Sequence, residues 1–276
     1  MFSLATIKKT LKALRLQRVA HWIVKQYAAI RPNQVCRRNG ILYQLDLSEL
    51  IDYSTFIGGW EKSTIDFLSG TVSHGHYVLE VGANVGAHTL QIAQLVGPNG
   101  RVYAFEPTDF AANKLMANMK LNPELATRIR LRRELVTNSK LETPTTTIRS
   151  SWKREESGHQ RPPEVLQPKS ISIDELVAEE GIHCVDLIKI DVDGYDYKVL
   201  QGAVNTINTM NPVIFIELCE YCLNAQGDSI RDIFELLCGA GYEATLEDGS
   251  SITGVEQVLK MVGSDSSVNG IFRKKN

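Results

Sequence analysis

The chain has 276 residues, 43% of them hydrophobic and 22% charged, with a formal net charge of −2 at pH 7. That is enough sequence to bury a full core in one large or two small domains, and the composition is that of an ordinary globular chain rather than a disordered one. No stretch reaches the roughly 20 apolar residues of a membrane span, and the start lacks the long apolar core of a secretory signal, so a cytoplasmic location is expected.

The balanced total conceals an asymmetry. Residues 1–45 contain Lys8, Lys9, Lys12, Arg15, Arg18, Lys25, Arg31, Arg37 and Arg38 with no Asp or Glu, a formal +9 that leaves −11 on the remainder. Leu4, Ile7, Leu11, Leu14, Ile23, Val24 and Tyr27 recur at helical spacing, which predicts an amphipathic basic helix ending near Pro32. Such a segment can pack on the following domain as a lid or dimer element, lie on an anionic membrane surface, steer an anionic substrate or act as a transit peptide. Packing is the default reading. A nucleic-acid partner is not expected, because the remainder is acidic and no aromatic-basic stripe runs through it. The first 50 residues therefore stand as an extension, with the main domain over 51–276; the sequence leaves the oligomeric state open.

After an extended piece at 40–47 (GILYQLDL), Gly58-Gly59-Trp60-Glu61 interrupts a pattern that resumes as a helix through KSTIDFL. Residues 77–86 (YVLEVGANVG) then read as a strand running into a Gly-rich turn, and HTLQIAQLV as the helix behind it. A second short strand, 101–105 (RVYAF), ends at Glu106. In a right-handed βαβ unit the first turn and the end of the second strand lie side by side, which predicts a nucleoside site. Gly82 and Gly86 allow close backbone approach, and the Glu106 carboxylate can accept from both ribose hydroxyls. Dinucleotide sites use G-x-G-x-x-G so that a pyrophosphate rests on backbone N–H groups. Here Asn84 replaces the middle Gly, and Glu80 just before the loop would repel a pyrophosphate. An acid there suits a ligand with an ammonium and a sulfonium, such as S-adenosylmethionine.

The segments VLEVGANVGAHTL, GRVYAFEPTDFAANKLMANMKLN, DLIKIDVDGYDYKVLQGA and NPVIFIEL, in that order, resemble the FkbM-type S-adenosylmethionine-dependent methyltransferases over about residues 52–246. The resemblance implies that Glu80, Gly82, Ala83, Asn84 and Gly86 line the methionine and ribose side of the cofactor and that Glu106 holds the ribose. It further implies that a segment matching Trp60-Glu61 closes over the cofactor. Glu61 would then meet the methionine ammonium, against the alternative of an acid interacting with a helix dipole. Asn113 and Asn118, along ANKLMANMKLN, belong to the same pattern but are as readily solvated or capping residues.

The third strand is predicted at 129–136 (IRLRRELV), and in this architecture the loop after it reaches the adenine, making Asn138 a candidate for the exocyclic amine. Residues 141–170 turn polar and breaker-rich, too long for a plain connection, and read as a substrate lid with short strands or a surface loop. Trp152, Lys153, Arg154, His159 and Arg161 are candidates there to meet a sugar ring or an anion. Ser172 and Glu175 form a capping box ahead of a helix to Glu180. A buried strand at 185–190 leads into Asp191-Val192-Asp193-Gly194, the carboxyl end where an open α/β sheet binds its ligands. Lys189, Asp191 and Asp193 share a face if the strand persists that far. Strand 212–218 presents Glu217 nearby. Helix 229–240, strand 242–246, helix 254–261 and strand 269–274 complete the sheet.

Five cysteines occur, at 36, 184, 219, 222 and 238. Cys219 and Cys222 have C-x-x-C spacing, but no second ligand pair follows and packing as small hydrophobes is the favoured reading.

Methyl transfer to a hydroxyl needs a base for a proton whose pKa is far above neutrality. Asp191 is the first candidate, as base or cofactor contact, followed by Asp193 and Glu217; His88, which opens the helix behind the glycine loop, is an alternative. A carboxylate cluster could instead bind magnesium, although no dedicated metal ligand set is assigned. The expectation is a Rossmann-like α/β fold with a seven-stranded mixed sheet, helices on both faces and an N-terminal helical extension. It would transfer methyl from S-adenosylmethionine to a hydroxyl of a sugar, glycolipid or secondary metabolite. The rival readings are a nucleoside-binding protein without catalysis and an NAD-dependent oxidoreductase.

Overall fold

The computed structural model describes residues 17–58, 60–139, 145–154 and 160–275, with the backbone alone for 17–21. The first part of the expected basic helix and His159 lie outside these residues. The chain divides into two compact units, Met1–Trp60 with Ser151–Pro162 and Glu61–Ser150 with Pro163–Asn276.

In the first unit a helix, Gln17–Ile30, is followed by a hairpin of β1 (Asn33–Arg38) and β2 (Ile41–Asp46), then a helix, Leu50–Ile57. Asn39 and Gly40 both take positive φ, 48° and 86°, as a two-residue hairpin turn of this hand requires. Tyr27 and Phe56 stack with centroids 6.1 Å apart. The segment from Ser151 joins this unit through side chains: Lys153 Nζ lies 3.0 Å from Glu49 Oε1 and 3.3 Å from Asp46 Oδ2. The Arg154 guanidinium sits 3.8 Å over the Tyr53 ring. The boundary thus falls ten residues beyond the expected one, and part of the variable loop belongs with the extension. Lys153 and Arg154, candidates for an acceptor, are engaged in holding that unit together.

The second unit is built on an eight-stranded sheet in the order β13-β12-β14-β11-β10-β3-β4-β5. Its strands are β3 (Tyr77–Val81), β4 (Arg101–Phe105), β5 (Ile129–Arg132), β10 (Leu187–Ile190), β11 (Val213–Leu218), β12 (Tyr242–Leu246), β13 (Ser251–Ile252) and β14 (Val268–Lys274). The five strands from β5 to β11 are parallel, while β14, β12 and β13 are antiparallel. A parallel sheet covered on both faces needs apolar runs, and all four residues of β10 are buried. The fold is the Rossmann-like α/β sheet expected, with a two-residue edge strand, β13, beyond the seven.

Two other ladders lie outside it: β6 (Leu135–Val136) with β9 (Ser170–Ile171), and β7 (Thr146–Ile148) with β8 (Glu164–Leu166). The predicted strand at 129–136 is therefore two. The break comes where Arg132 turns onto Glu134, 2.8 Å away, and Leu135 N–H donates to Lys169 O instead of to β4. Helices Ile173–Glu180 and Ile230–Gly239 each start with a reciprocal capping box, Ser172 with Glu175 and Ser229 with Asp232, satisfying two donors that a helix start leaves free.

Chain order fixes the site. From β3 the chain moves outward through β4 to β5, then returns to place β10 on the other side of β3. Strand order reverses between β3 and β10, the switch point where an open α/β sheet leaves a crevice at its carboxyl edge.

Candidate functional site

The glycine loop occupies that switch point. Gly82 takes φ +90°, and a Cβ there would lie 1.9 Å from the Asp191 carbonyl oxygen. At Gly86, φ +83°, a Cβ would lie 2.3 Å from Leu115 Cδ1. Both glycines are thus required first by the protein itself: they let the loop pass against the end of β10 and the helix Asp109–Leu121. Asn118 on that helix is buried, and its Nδ2 donates to Val85 O at 3.3 Å, so it braces the loop rather than facing water. Asn113 is exposed.

Every backbone N–H from Gly82 to Gly86 is already donated within the protein. Gly82 and Ala83 donate to Phe105 O at 3.1 and 2.9 Å, and Gly86 to Ala83 O at 2.9 Å. Asn84 N donates to Glu106 Oε2 at 2.9 Å, and Val85 N to Asn84 Oδ1 at 2.8 Å. A pyrophosphate cradle needs such groups free, and this loop has none to offer.

Glu106 is buried, and besides Asn84 it accepts from the Thr108 N–H at 2.9 Å and from the Thr108 hydroxyl. A carboxylate has about four lone-pair sites. One remains, on Oε2, so a ligand can offer it one hydroxyl where the sequence suggested two.

Beside the loop lies a group of acids around one ammonium. Lys189 pairs with Glu80 across the parallel register of β10 and β3, and both are buried. Lys189 Nζ donates to Asp191 Oδ2 at 3.1 Å. Burial opposes the Lys189 charge, but Asp191, Glu80 and Glu61 hold its pKa above the usual value. Glu80 is pushed up to about 7 by burial, with Lys189 opposing, and its Oε2 has no hydrogen-bond partner. A buried carboxylate oxygen left without a partner is costly and is what a cationic ligand would satisfy.

Glu61 stands at the start of helix Lys62–Thr71, yet its side chain makes no capping hydrogen bond there. Its Oε2 lies 3.5 Å from His88 Nε2 instead, and burial raises its pKa to about 7. His88 is buried, and burial together with Lys189 drives its pKa down to about 3. It is a neutral imidazole with little affinity for a proton, which removes the advantage that the sequence suggested for it as a base.

Strand β10 ends at Ile190, so Lys189, Asp191 and Asp193 do not form one extended face. Asp193 is carried by a turn at φ +49°. Gly194 follows at φ +104°, where a Cβ would lie 2.3 Å from Cys222 O. Asp196 holds this turn, accepting from Val192 N at 3.3 Å and Gly194 N at 2.9 Å; burial and the Asp191 charge raise it to about 8. Glu217, near the end of β11, accepts from Ser267 Oγ at 2.6 Å. Burial and then the Asp191 charge bring it to about 7.

Asp196 is the site residue that sequence reasoning passed over, and the run Asp191-x-Asp193-x-x-Asp196 was its signal; Lys189, which the sequence set beside these acids, does pair with Asp191. Asn138 is exposed, accepts from Thr137 Oγ1 at 3.3 Å, and its backbone faces Gly202.

Cys219 and Cys222 are joined as a disulfide, correcting the packing reading. Cys219 follows β11 as the N-cap of helix Glu220–Ala225 and Cys222 lies in that helix's first turn, and this strand-to-helix turn sets their Cα atoms 5.3 Å apart, within bridging distance. Among the described residues no group of three or more His, Cys, Asp or Glu is arranged to hold a metal ion.

The chain is similar to several known proteins. The chain is 25% identical over 205 residues to the hexuronic acid methyltransferase AglP of Haloferax volcanii, covering 72% of this chain and 80% of that protein. Among solved structures it is similar to methyltransferase FkbM from Methylobacillus flagellatus KT (17% identity, TM-score 0.48), over 76% of this chain and 47% of that one. It is also similar to a putative rRNA-methylase from Clostridium thermocellum (13% identity, TM-score 0.48), over 78% and 95%. The model of the methyltransferase FkbM domain matches residues 80–244, which run from the buried acid of β3 to the middle of β12. The chain belongs to the FkbM family and is an S-adenosylmethionine-dependent methyltransferase.

Proposed function

We propose that this chain transfers the methyl group to a hydroxyl oxygen of a sugar or glycan, at the carboxyl ends of β3, β10 and β11. The observation that carries the reading is the glycine loop: its N–H groups are spent internally, while the buried Glu80 directly before it and the half-buried Glu61 both have raised pKa values. That combination suits a cationic nucleoside and gives a pyrophosphate no donors, which disfavours the NAD-dependent alternative.

When bound, the cofactor supplies an electrophilic methyl carbon on a positively charged sulfur. Glu80 and Glu61 would hold its positive amino-acid end, and the last lone pair of Glu106 a ribose hydroxyl. Glu217 is better matched to proton removal than Asp191. It is poised near neutrality, where a general base is most effective, whereas Asp191 is paired with Lys189. Asp191 then acts beside it, keeping Lys189 in place and raising the proton affinity of Glu217. The Lys189 ammonium provides charge balance that a metal would otherwise supply among these acids, so the reading assigns no role to magnesium.

The sugar class rests on the relative named for hexuronic acid. Incubation with methyl-labelled S-adenosylmethionine and a set of uronic acids, neutral hexoses and lipid-linked sugars, read by mass spectrometry, tests it. One labelled O-methyl sugar is expected. No transfer to any sugar by protein that binds S-adenosylhomocysteine would overturn the acceptor class and leave the cofactor reading standing.

A further inference from the structure

Charge is divided between the two units far more unevenly than the total suggests. Met1–Trp60 with Ser151–Pro162 holds twelve Lys and Arg against five Asp and Glu, a formal +7, and the other unit therefore carries −9 of the chain's −2. The basic unit also shows water an unusual set of large apolar side chains: Trp22 is 61% exposed, Ile30 78% and Val35 59%.

These side chains are held in a defined arrangement. On helix Gln17–Ile30, Val24 and Ala28 are buried while Trp22, Gln26 and Ile30, spaced by four, are exposed on another face. The helix end is tied to the hairpin: Tyr27 Oη donates to Gln34 Oε1 at 3.1 Å, and Gln34 Nε2 donates to Arg31 O at 3.1 Å. Strand β1 alternates, with Val35 and Arg37 on its exposed side. Exposed Ile30, Arg31, Val35 and Arg37 thus belong to one braced turn, with Trp22 two helical turns back.

We propose that this face of the basic unit docks on an anionic lipid bilayer, with Trp22, Ile30 and Val35 entering the interface and the arginines contacting lipid headgroups. Charge complementarity supplies the attraction, and the exposed apolar side chains supply the reason for a lipid surface. A nucleic acid would use the arginines but leave Ile30 and Val35 without a role. A second copy would bring one +7 unit against another. The docking would set the enzyme at the surface where lipid-linked acceptors lie, yet it stands or falls independently of the acceptor.

The test is co-sedimentation of the full chain with vesicles of phosphatidylcholine, with and without phosphatidylglycerol, at low and high salt. Binding only to the anionic vesicles, lost at high salt, is expected. Arg31→Glu with Arg37→Glu should weaken it at least about 25-fold, at about fivefold per basic residue lost near the surface. Trp22→Ser with Ile30→Ser and Val35→Ser should weaken it about tenfold or more. Both variants should keep wild-type affinity for S-adenosylhomocysteine, showing that they fold. Absence of binding to anionic vesicles would overturn the proposal, as would an unchanged apolar variant. So would an oligonucleotide that binds where vesicles do not, or self-association that the apolar variant abolishes.

Discussion

Lys189 and Glu80 sit opposite one another in the parallel register of β10 and β3, both buried, in the middle of a sheet whose other central positions are apolar. The pair is electrostatically incomplete without Asp191, whose carboxylate takes the Lys189 ammonium at 3.1 Å. Removing one partner of a buried pair leaves the other charge uncompensated and costs about 3–5 kcal/mol. Lys189→Met should therefore lower stability by about that amount at pH 8, and by less at pH 6, where Glu80 takes up a proton. Urea unfolding at the two pH values checks this. An equal loss at both would mean that the ammonium does not balance the acids.

The raised carboxylates make a second prediction. Glu61, Glu80 and Glu217 at about 7 and Asp196 at about 8 all lie above their unfolded values near 4. The stability they contribute is full at low pH and is lost as pH rises through 7 to 8. His88, at about 3 instead of 6.5, works in the opposite sense: its contribution is present above about pH 6.5 and fades as pH falls below it. Between about pH 4 and 7 the four raised carboxylates outweigh the one depressed histidine, so the ligand-free protein should melt higher at pH 5 than at pH 7, and lower still at pH 8.5. A thermal scan across pH 5–9 that is flat, or that peaks above pH 8, would contradict this.

The same groups should release protons when a cation joins them. If S-adenosylhomocysteine places its ammonium against Glu80 and Glu61, their pKa values fall and about one proton leaves at pH 7. Calorimetry in buffers of different ionisation enthalpy measures that number directly. A value of zero would separate these acids from the ligand.

Two glycines with the same backbone strain should behave differently. Gly75 and Gly82 both have φ near +90°, but a Cβ at Gly75 meets nothing within 4 Å, while one at Gly82 meets the Asp191 carbonyl at 1.9 Å. Gly75→Ala should cost about 1–2 kcal/mol, the left-handed strain alone. Gly82→Ala should cost clearly more, because β3 and β10 must separate. Equal urea midpoints would refute the close approach at the switch point.

Catalysis divides the acids. Glu217→Gln should lower kcat by about 10²–10⁴, the usual worth of a general base, with S-adenosylhomocysteine affinity kept. His88→Gln should lower it less than tenfold, since an imidazole with a pKa of about 3 has little affinity for the proton to be removed. The acid limb of the pH–rate profile near 7 should vanish in the Glu217 variant. Persistence of that limb would move the base to Asp191 or Asp193.

Much of this was legible in the sequence. Residues 77–106 alone gave two parallel strands, the turn between them and the acid after the second, because apolar runs bounded by glycine and charge have few other solutions. The capping box at Ser172 placed its helix for the same local reason. What escaped depended on contacts distant in sequence. The split of the third strand follows from β6 pairing with Ser170–Ile171, and Glu106 spends two lone pairs on Thr108 and one on Asn84, a geometry that composition does not reveal. His88 read as a base because its burial beside Lys189 could not be seen.

The central claim is that the glycine loop and its acids receive S-adenosylmethionine. Calorimetric titration with S-adenosylhomocysteine and with NAD, in wild type and Glu106→Ala and with and without magnesium, tests it most directly. The account predicts binding of the first ligand alone, weakened about tenfold or more by the substitution and indifferent to magnesium. Tight binding of NAD, or none of S-adenosylhomocysteine, would contradict it.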